Sequence, residues 1–140
     1  MRFATVIAAF TLAVSPALAD APTVANHGAA DRALSPGSII TGKRADVCTV
    51  GWSRAHRNVT VRTRAAVWRA YNLTPQKGWE LDHVIPLELG GGNVAANLFP
   101  QAPPFWRAKD IEENRLHREV CAYRMQLRSA VAAMRRGWVR

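Results

Sequence analysis

Three consecutive glycines and an asparagine, Gly90 to Asn93, constrain the fold of this 140-residue chain more than any other feature. They separate two apolar runs, residues 79–87 and 94–99. Glycine and asparagine tolerate the left-handed backbone conformations that tight turns require. We therefore predict two antiparallel strands joined by an irregular hairpin. The prolines at 100, 103 and 104 predict a further loop after the second strand.

Helical periodicity is found on both sides of this hairpin. Thr60 is a plausible N-cap for a helix that runs to residue 73, where a threonine and a proline end it. A long helix is predicted to begin near Arg107, and a last amphipathic helix is predicted from 126 to 136. Residues 48–57 alternate in character and predict a short strand and turn. These elements together predict a small α+β fold.

The first residues have the pattern of an export signal. A positive start, an apolar run and a small-residue cleavage pattern predict a signal peptide over residues 1–19. The apolar run falls short of the roughly 20 residues that span a bilayer, so no stable membrane insertion is expected. Residues 20–46 are predicted to form a loosely ordered leader and residues 47–140 the folded domain. The mature protein is expected to be periplasmic or secreted.

The charge balance is strongly basic. The chain has 19 Lys+Arg against 10 Asp+Glu, which gives a formal net charge of +9. Such a balance favours a polyanionic partner, either nucleic acid or an anionic membrane surface. The length and the 49% hydrophobic content fit one folded domain and exclude a multidomain enzyme or a disordered chain.

Cys48 and Cys121 are the only cysteines. An oxidising compartment and an even count favour a disulfide between them. Two buried free thiols and a metal role remain as alternatives. Structural zinc sites usually need close-spaced Cys or His pairs, and we identify none for either cysteine, so zinc is not the favoured interpretation.

One window of the sequence concentrates residues that carry chemistry. Asp82-His83 stands on the first predicted strand, Asn97 on the second, and Asp110, Glu113 and His117 on the following helix. This order resembles the HNH nucleases of the ββα-metal superfamily, and more narrowly a subgroup of small exported HNH-type proteins. The resemblance rests on residues 81–87, 90–91, 97–101 and 109–121.

The resemblance implies a ββα-metal core, made of a two-stranded hairpin and a helix, with flanking helices. It also implies that His83 is the general base, that Asp82 is a metal ligand, and that Asn97 holds His83 in place across the hairpin loop. The third residue of the family motif is often histidine, which favours His117 as the ligand on the helix. Asp110 and Glu113 lie nearer the start of that helix, so the choice among these three stays open.

The chemistry of phosphodiester hydrolysis suits these residue types. An imidazole with a pKa near 6.5 can deprotonate water at neutral pH, and carboxylates can hold a hard divalent cation that neutralises phosphate charge. We expect one such cation, with Mg²⁺ first and Zn²⁺, Mn²⁺ or Ni²⁺ as alternatives. Adjacent strand residues point to opposite faces. Asp82 and His83 can therefore share a site only if the strand is distorted or ends there.

The expected partner is DNA or RNA, bound by a monomer with little sequence specificity. Lys109, Arg107, Arg115 and Arg118 are the candidate phosphate contacts. An inhibitor protein before export is a further expected partner of such a nuclease. Two other functions stay open: a non-catalytic nucleic-acid-binding protein on the same scaffold, and a cationic protein that binds the cell envelope. The acidic helix residues would then be an ordinary solvated face.

Overall fold

The computed structural model describes residues 28–137, so the predicted signal peptide and the first residues of the leader lie outside the described residues. The described chain has five α-helices and two β-strands. They are α1 (Arg44–Val47), α2 (Trp52–His56), α3 (Val61–Ala70), β1 (Glu80–His83), β2 (Leu98–Gln101), α4 (Phe105–Cys121) and α5 (Leu127–Arg136).

The two strands form the predicted antiparallel hairpin. Glu80 pairs with Gln101 at one end and His83 with Leu98 at the other. Both strands are shorter than the apolar runs suggested, because the segment between them contains two single-turn 3₁₀ helices, Leu87–Leu89 and Ala95–Asn97. Pro86 has no N–H to donate to a strand ladder, which helps to end the pairing just after His83.

The three longer helices follow their sequence patterns. Thr60 caps α3, since its side chain accepts a hydrogen bond from the Thr63 N–H. The helix α4 begins slightly before Arg107, and α5 covers almost the whole predicted amphipathic segment. On α5 the buried residues recur at helical spacing, and they are Leu127, Ala130, Val131 and Met134.

The strand predicted over residues 48–57 is wrong, because the chain there forms α2 and the turn before it. Gly51 precedes this helix with φ 84°, and the rings of Trp52 and His56 stack one helical turn apart. The Trp52 indole N–H also donates to the Leu87 carbonyl at 3.0 Å. An alternating pattern forms a strand only where a partner strand is available. Here the stacked rings and the Trp52 hydrogen bond stabilise a helix instead.

The helices α3, α4 and α5 pack around the hairpin and bury one hydrophobic core, so the fold is α+β as predicted. The core combines residues of the hairpin with residues of all three helices, among them Val67, Leu98, Phe99, Leu116, Val120 and Met134. None of the helices in the described range is long and apolar enough to cross a membrane.

The described part of the leader, residues 28–46, makes specific contacts with the hairpin instead of lying loosely on the surface. Ser35 is 1% exposed, and its hydroxyl donates to the Leu98 carbonyl at 2.6 Å. The Tyr71 hydroxyl donates in turn to Ser35 at 2.9 Å. Ile39 forms an isolated β-bridge with Gly91. Composition did not reveal this order because the contacts are made by short polar groups and backbone.

Cys48 and Cys121 are joined in a disulfide, as the cysteine count favoured, with their Cα atoms 5.6 Å apart. The bond ties the residue that follows α1 to the last residue of α4.

Candidate active site

A cavity of about 550 Å³ opens beside the hairpin, between α2, α3 and α4. Both Asp82 and His83 line it. They can do so although they are neighbours, because His83 is the last residue of β1 and the chain bends immediately after it. The His83 N–H donates to Asp82 Oδ1 at 2.6 Å, which folds the aspartate back towards its neighbour. Neighbouring side chains of a strand point to opposite faces, but β1 ends at His83, so this alternation does not keep the two side chains apart.

The ring of His83 is held by Asn93. The Asn93 side-chain amide donates to the His56 carbonyl at 2.6 Å, which turns Asn93 Oδ1 towards His83 Nε2 at 2.9 Å. An amide oxygen only accepts, so Nε2 carries the proton and Nδ1 keeps the free lone pair in the neutral ring. Burial lowers the pKa of His83 below 6.5, and the Asn93 contact and the Asp82 charge only partly oppose this. The imidazole is therefore neutral at pH 7.

Asn97 is fully buried beneath this site and ties the loop together. Its Oδ1 accepts from the Ser38 and Ile85 N–H groups, and its Nδ2 donates to the Ile85 and Gly92 carbonyls. Its own carbonyl accepts from the Val84 N–H, immediately after His83. Asn97 thus fixes the backbone that carries His83, and these hydrogen bonds go to the loop and not to the imidazole.

Lys109 lies inside the protein, with 1% of its side chain exposed, and it is not a surface contact for phosphate as the sequence suggested. Its ammonium donates to Asp82 Oδ2 at 2.8 Å and also to Glu113 on the next turn of α4. It lies inside because positions 109, 113, 116 and 120 share the buried face of this helix. Lys109 therefore connects β1 to α4 by a buried ion-pair triad.

The triad changes the protonation of its members. Burial lowers the pKa of Lys109, but the charges of Asp82 and Glu113 outweigh this, so the ammonium is retained. For Glu113, burial raises the pKa, and the adjacent ammonium offsets that only in part. The triad therefore keeps one buried positive charge beside two acidic groups.

Half of the acidic residues of this basic chain line the one cavity. Of 10 Asp+Glu in the sequence, the cavity wall contains Glu80, Asp82, Glu88, Asp110 and Glu113. The pKa of Asp110 is raised mainly by burial and further by the charge of Asp82. Burial likewise raises the pKa of Glu88, whose enclosed Oε1 has no hydrogen-bond partner. The cavity wall therefore has more acidic side chains than basic ones, which are Arg57, Arg64 and His83.

The predicted metal ligands are only partly brought together. Asp82, Asp110 and Glu113 share the cavity, but His117 is not among its lining residues. The His117 ring instead donates from Nε2 to the Val47 carbonyl at 3.0 Å, beside the disulfide. Within residues 28–137, no three of the predicted ligands have ligand atoms within 4.8 Å of one another. His117 shares a face of α4 with Asp110, but it lies two turns further along the helix, about 10 Å away, beside the end of α1.

The predicted phosphate contacts also lie outside the cavity. Arg107 is exposed with its guanidinium over the Trp106 ring, Arg115 is paired with Glu112, and Arg118 is exposed. The arginines that do line the cavity are Arg57 and Arg64, which precede or lie on α3. Sequence reasoning included these two in the general basic surface without assigning them to the site.

Two further site residues were missed. Asn93 was interpreted only as a turn residue, although a polar amide inside a glycine-rich loop beside the Asp-His pair was a usable signal. Glu88 stands between two buried leucines of a 3₁₀ turn, and no sequence pattern distinguished it.

Comparison of the chain with models of known families, with curated proteins and with solved structures found no significant match.

Proposed function

We propose that this chain is an endonuclease of the HNH type, which hydrolyses phosphodiester bonds of DNA or RNA with His83 as the general base. The observation that carries the proposal is the held, neutral imidazole of His83 in the same cavity as Asp82. A buried imidazole with its proton fixed on one nitrogen is ready to accept a proton on the other.

In the proposed reaction, His83 Nδ1 takes a proton from water, and the resulting hydroxide attacks phosphorus. The bond from phosphorus to the leaving sugar oxygen breaks, and that oxygen takes a proton from solvent water. Asn93 accepts the Nε2–H throughout, so the ring does not turn as its charge changes. The imidazolium that forms is stabilised by the Asp82 carboxylate, whose charge raises the pKa of His83. Asn97 keeps the loop in the shape that presents the ring.

The proposal includes one divalent cation, with Mg²⁺ favoured over Zn²⁺, Mn²⁺ and Ni²⁺. The donor set fits by its chemistry, because hard cations prefer carboxylate oxygens and five carboxyl groups line the cavity. Asp82, Asp110 and Glu113 would hold the ion, with Glu88 as a further oxygen donor. Lys109 binds one oxygen of Asp82 and one of Glu113, and the His83 N–H donates to the other oxygen of Asp82. That oxygen has a second lone pair for an ion. When bound, the ion supplies positive charge to the phosphate in an otherwise acidic cavity.

The basic character of the rest of the chain supports a nucleic-acid substrate. Arg57 and Arg64 line the same cavity, and their guanidinium groups match phosphate oxygens. Backbone contacts of this kind carry little sequence information, so low specificity is expected. Export to the periplasm or the exterior is part of the proposal and is supported by the disulfide.

The test is nicking of supercoiled plasmid and cleavage of single-stranded RNA by residues 20–140, with Mg²⁺ or Mn²⁺ and with EDTA. We expect metal-dependent cleavage that His83→Ala lowers by at least about 100-fold, the lower end for a general base. Lys77→Gln is the control, because Lys77 is exposed and does not line the cavity.

Cleavage that survives in His83→Ala, or that is absent with every ion, contradicts the proposal. Salt-sensitive retention of plasmid without cleavage would favour the non-catalytic binder. Sedimentation with anionic vesicles in the absence of nucleic-acid binding would favour the envelope-binding protein.

A further inference from the structure

We propose a second metal site, in which Cys48, Cys121 and His117 bind Zn²⁺ once the disulfide is reduced. The site is separate from the proposed active cavity and does not depend on the nuclease activity. In the oxidised protein the sulfurs are bonded to each other, so the site exists only in the dithiol form.

The three ligand atoms already lie together. Cys48 Sγ, Cys121 Sγ and a ring nitrogen of His117 are all within 4.8 Å of one another, and this is the one such group of three found within residues 28–137. His117 Nε2 is 3.3 Å from Cys121 Sγ. Ligand atoms around one tetrahedral zinc are separated by about 3.5 Å, given bond lengths of about 2.0–2.3 Å. Small rotations of side chains therefore suffice to surround an ion.

The backbone arrangement supports the same conclusion. His117 and Cys121 are four residues apart on α4, so both side chains project from one face of the helix. This is a close-spaced His/Cys pair that the sequence reasoning overlooked. Cys48 approaches from the end of α1, with its Cα 5.6 Å from that of Cys121. Once separated, the two sulfurs can move apart to either side of an ion without a change of backbone.

The chemistry balances with a phosphine as the reductant. The disulfide gains two electrons and two protons and becomes two thiols, while the phosphine takes an oxygen from water and becomes its oxide. Zinc then displaces the two thiol protons and binds two thiolates. The His117 proton moves from Nε2 to Nδ1, so that Nε2 offers its lone pair and gives up the Val47 carbonyl.

The result would be a Cys₂His site with the fourth position open to water, a donor set typical of zinc. Zinc would restore the link between α1 and α4 that reduction removes. The chain would therefore have two alternative crosslinks at one point, a covalent one under oxidising conditions and a metal one under reducing conditions.

The experiment is titration of residues 20–140 with Co²⁺ after reduction by a phosphine, without oxygen, followed by Zn²⁺. We expect one equivalent of Co²⁺ to give thiolate charge-transfer and tetrahedral d–d absorption, and zinc to displace it. His117→Gln should weaken Co²⁺ binding at least about tenfold, and Cys121→Ser should abolish the charge-transfer band. His56→Gln, a histidine outside the cluster, should bind as the unaltered chain does.

Circular dichroism of the same samples tests whether reduction unfolds the chain. If the reduced chain unfolds without metal, one equivalent of zinc should restore its helical signal. Absence of the bands from the reduced chain, equal bands in the oxidised chain, or unchanged affinity in His117→Gln would each overturn the proposal.

Discussion

Replacing Lys109 by methionine tests whether the buried triad stabilises the fold as its geometry implies. Methionine keeps the length and apolar stem of the side chain but removes the ammonium that pairs with Asp82 and Glu113. Both carboxyl groups would then be left in a partly buried site without a counter-charge. Removal of one partner from a buried ion pair costs about 3–5 kcal/mol, because the other charge stays desolvated.

The cost should depend on pH in a defined direction. Glu113 already has a pKa raised from 4.5 to about 7, and loss of the ammonium raises it further. A carboxyl whose pKa is higher in the folded state than in the unfolded state stabilises the fold as pH falls. We therefore expect Lys109→Met to lose about 3–5 kcal/mol above pH 7, and progressively less as the pH falls from 7 towards 4.5.

The assay is urea unfolding of both proteins at pH 8 and pH 5, followed by tryptophan fluorescence. Lys77→Met is the matched control, since Lys77 is exposed and its replacement should change stability by less than about 0.5 kcal/mol. Adding Glu113→Gln to Lys109→Met should recover part of the loss at pH 8. A loss below about 1 kcal/mol at pH 8, or a loss that does not shrink in acid, would refute the reasoning.

Three further predictions concern the hairpin loop. The acid limb of the pH profile of kcat/KM should have its midpoint below pH 6.5, because burial lowers the pKa of His83. Asn93→Asp should move this midpoint to higher pH, because the added carboxylate favours the imidazolium. Rates measured from pH 4.5 to 8 check both statements. Asn97→Ala should cost about 3–5 kcal/mol in urea unfolding, since it leaves several buried backbone groups without partners, and an unchanged midpoint would contradict this. Gly91→Ala should prevent normal folding, because its Cβ would lie 1.7 Å from the Ile85 carbonyl oxygen, and a native-like thermal transition would count against it.

Local sequence signals were sufficient for much of the fold. The glycine turn predicted the hairpin, Thr60 marked the start of α3, and the apolar spacing predicted α5, because each of these depends on neighbouring residues. The segment around α2 was misjudged because its conformation is set by long-range contacts. The indole of Trp52 reaches Leu87, 35 residues away. No short-range periodicity contains that information.

The same distinction applies to the candidate site. Asp82 and His83 share a cavity as expected, because both are fixed by one strand end. Lys109 was misplaced because its charge suggested the surface, whereas its helical position places it inside between two acids. His117 lies apart from the cavity because it is two helical turns, about 10 Å, beyond Asp110 along α4, where it contacts Val47 and Cys121. Which turn of a helix meets a given loop follows from long-range packing that the sequence does not identify.

The contacts of residues 35–39 with the hairpin affect the order in which the chain can fold. Ser35 and Ser38 reach Leu98 and Asn97 across sequence separations of 63 and 59 residues. These positions emerge early during synthesis, yet the surface that they bind does not exist until the glycine loop has closed. Folding therefore cannot proceed steadily from the amino end. A fragment that begins at residue 47 would lack the segment that packs on the glycine loop next to His83.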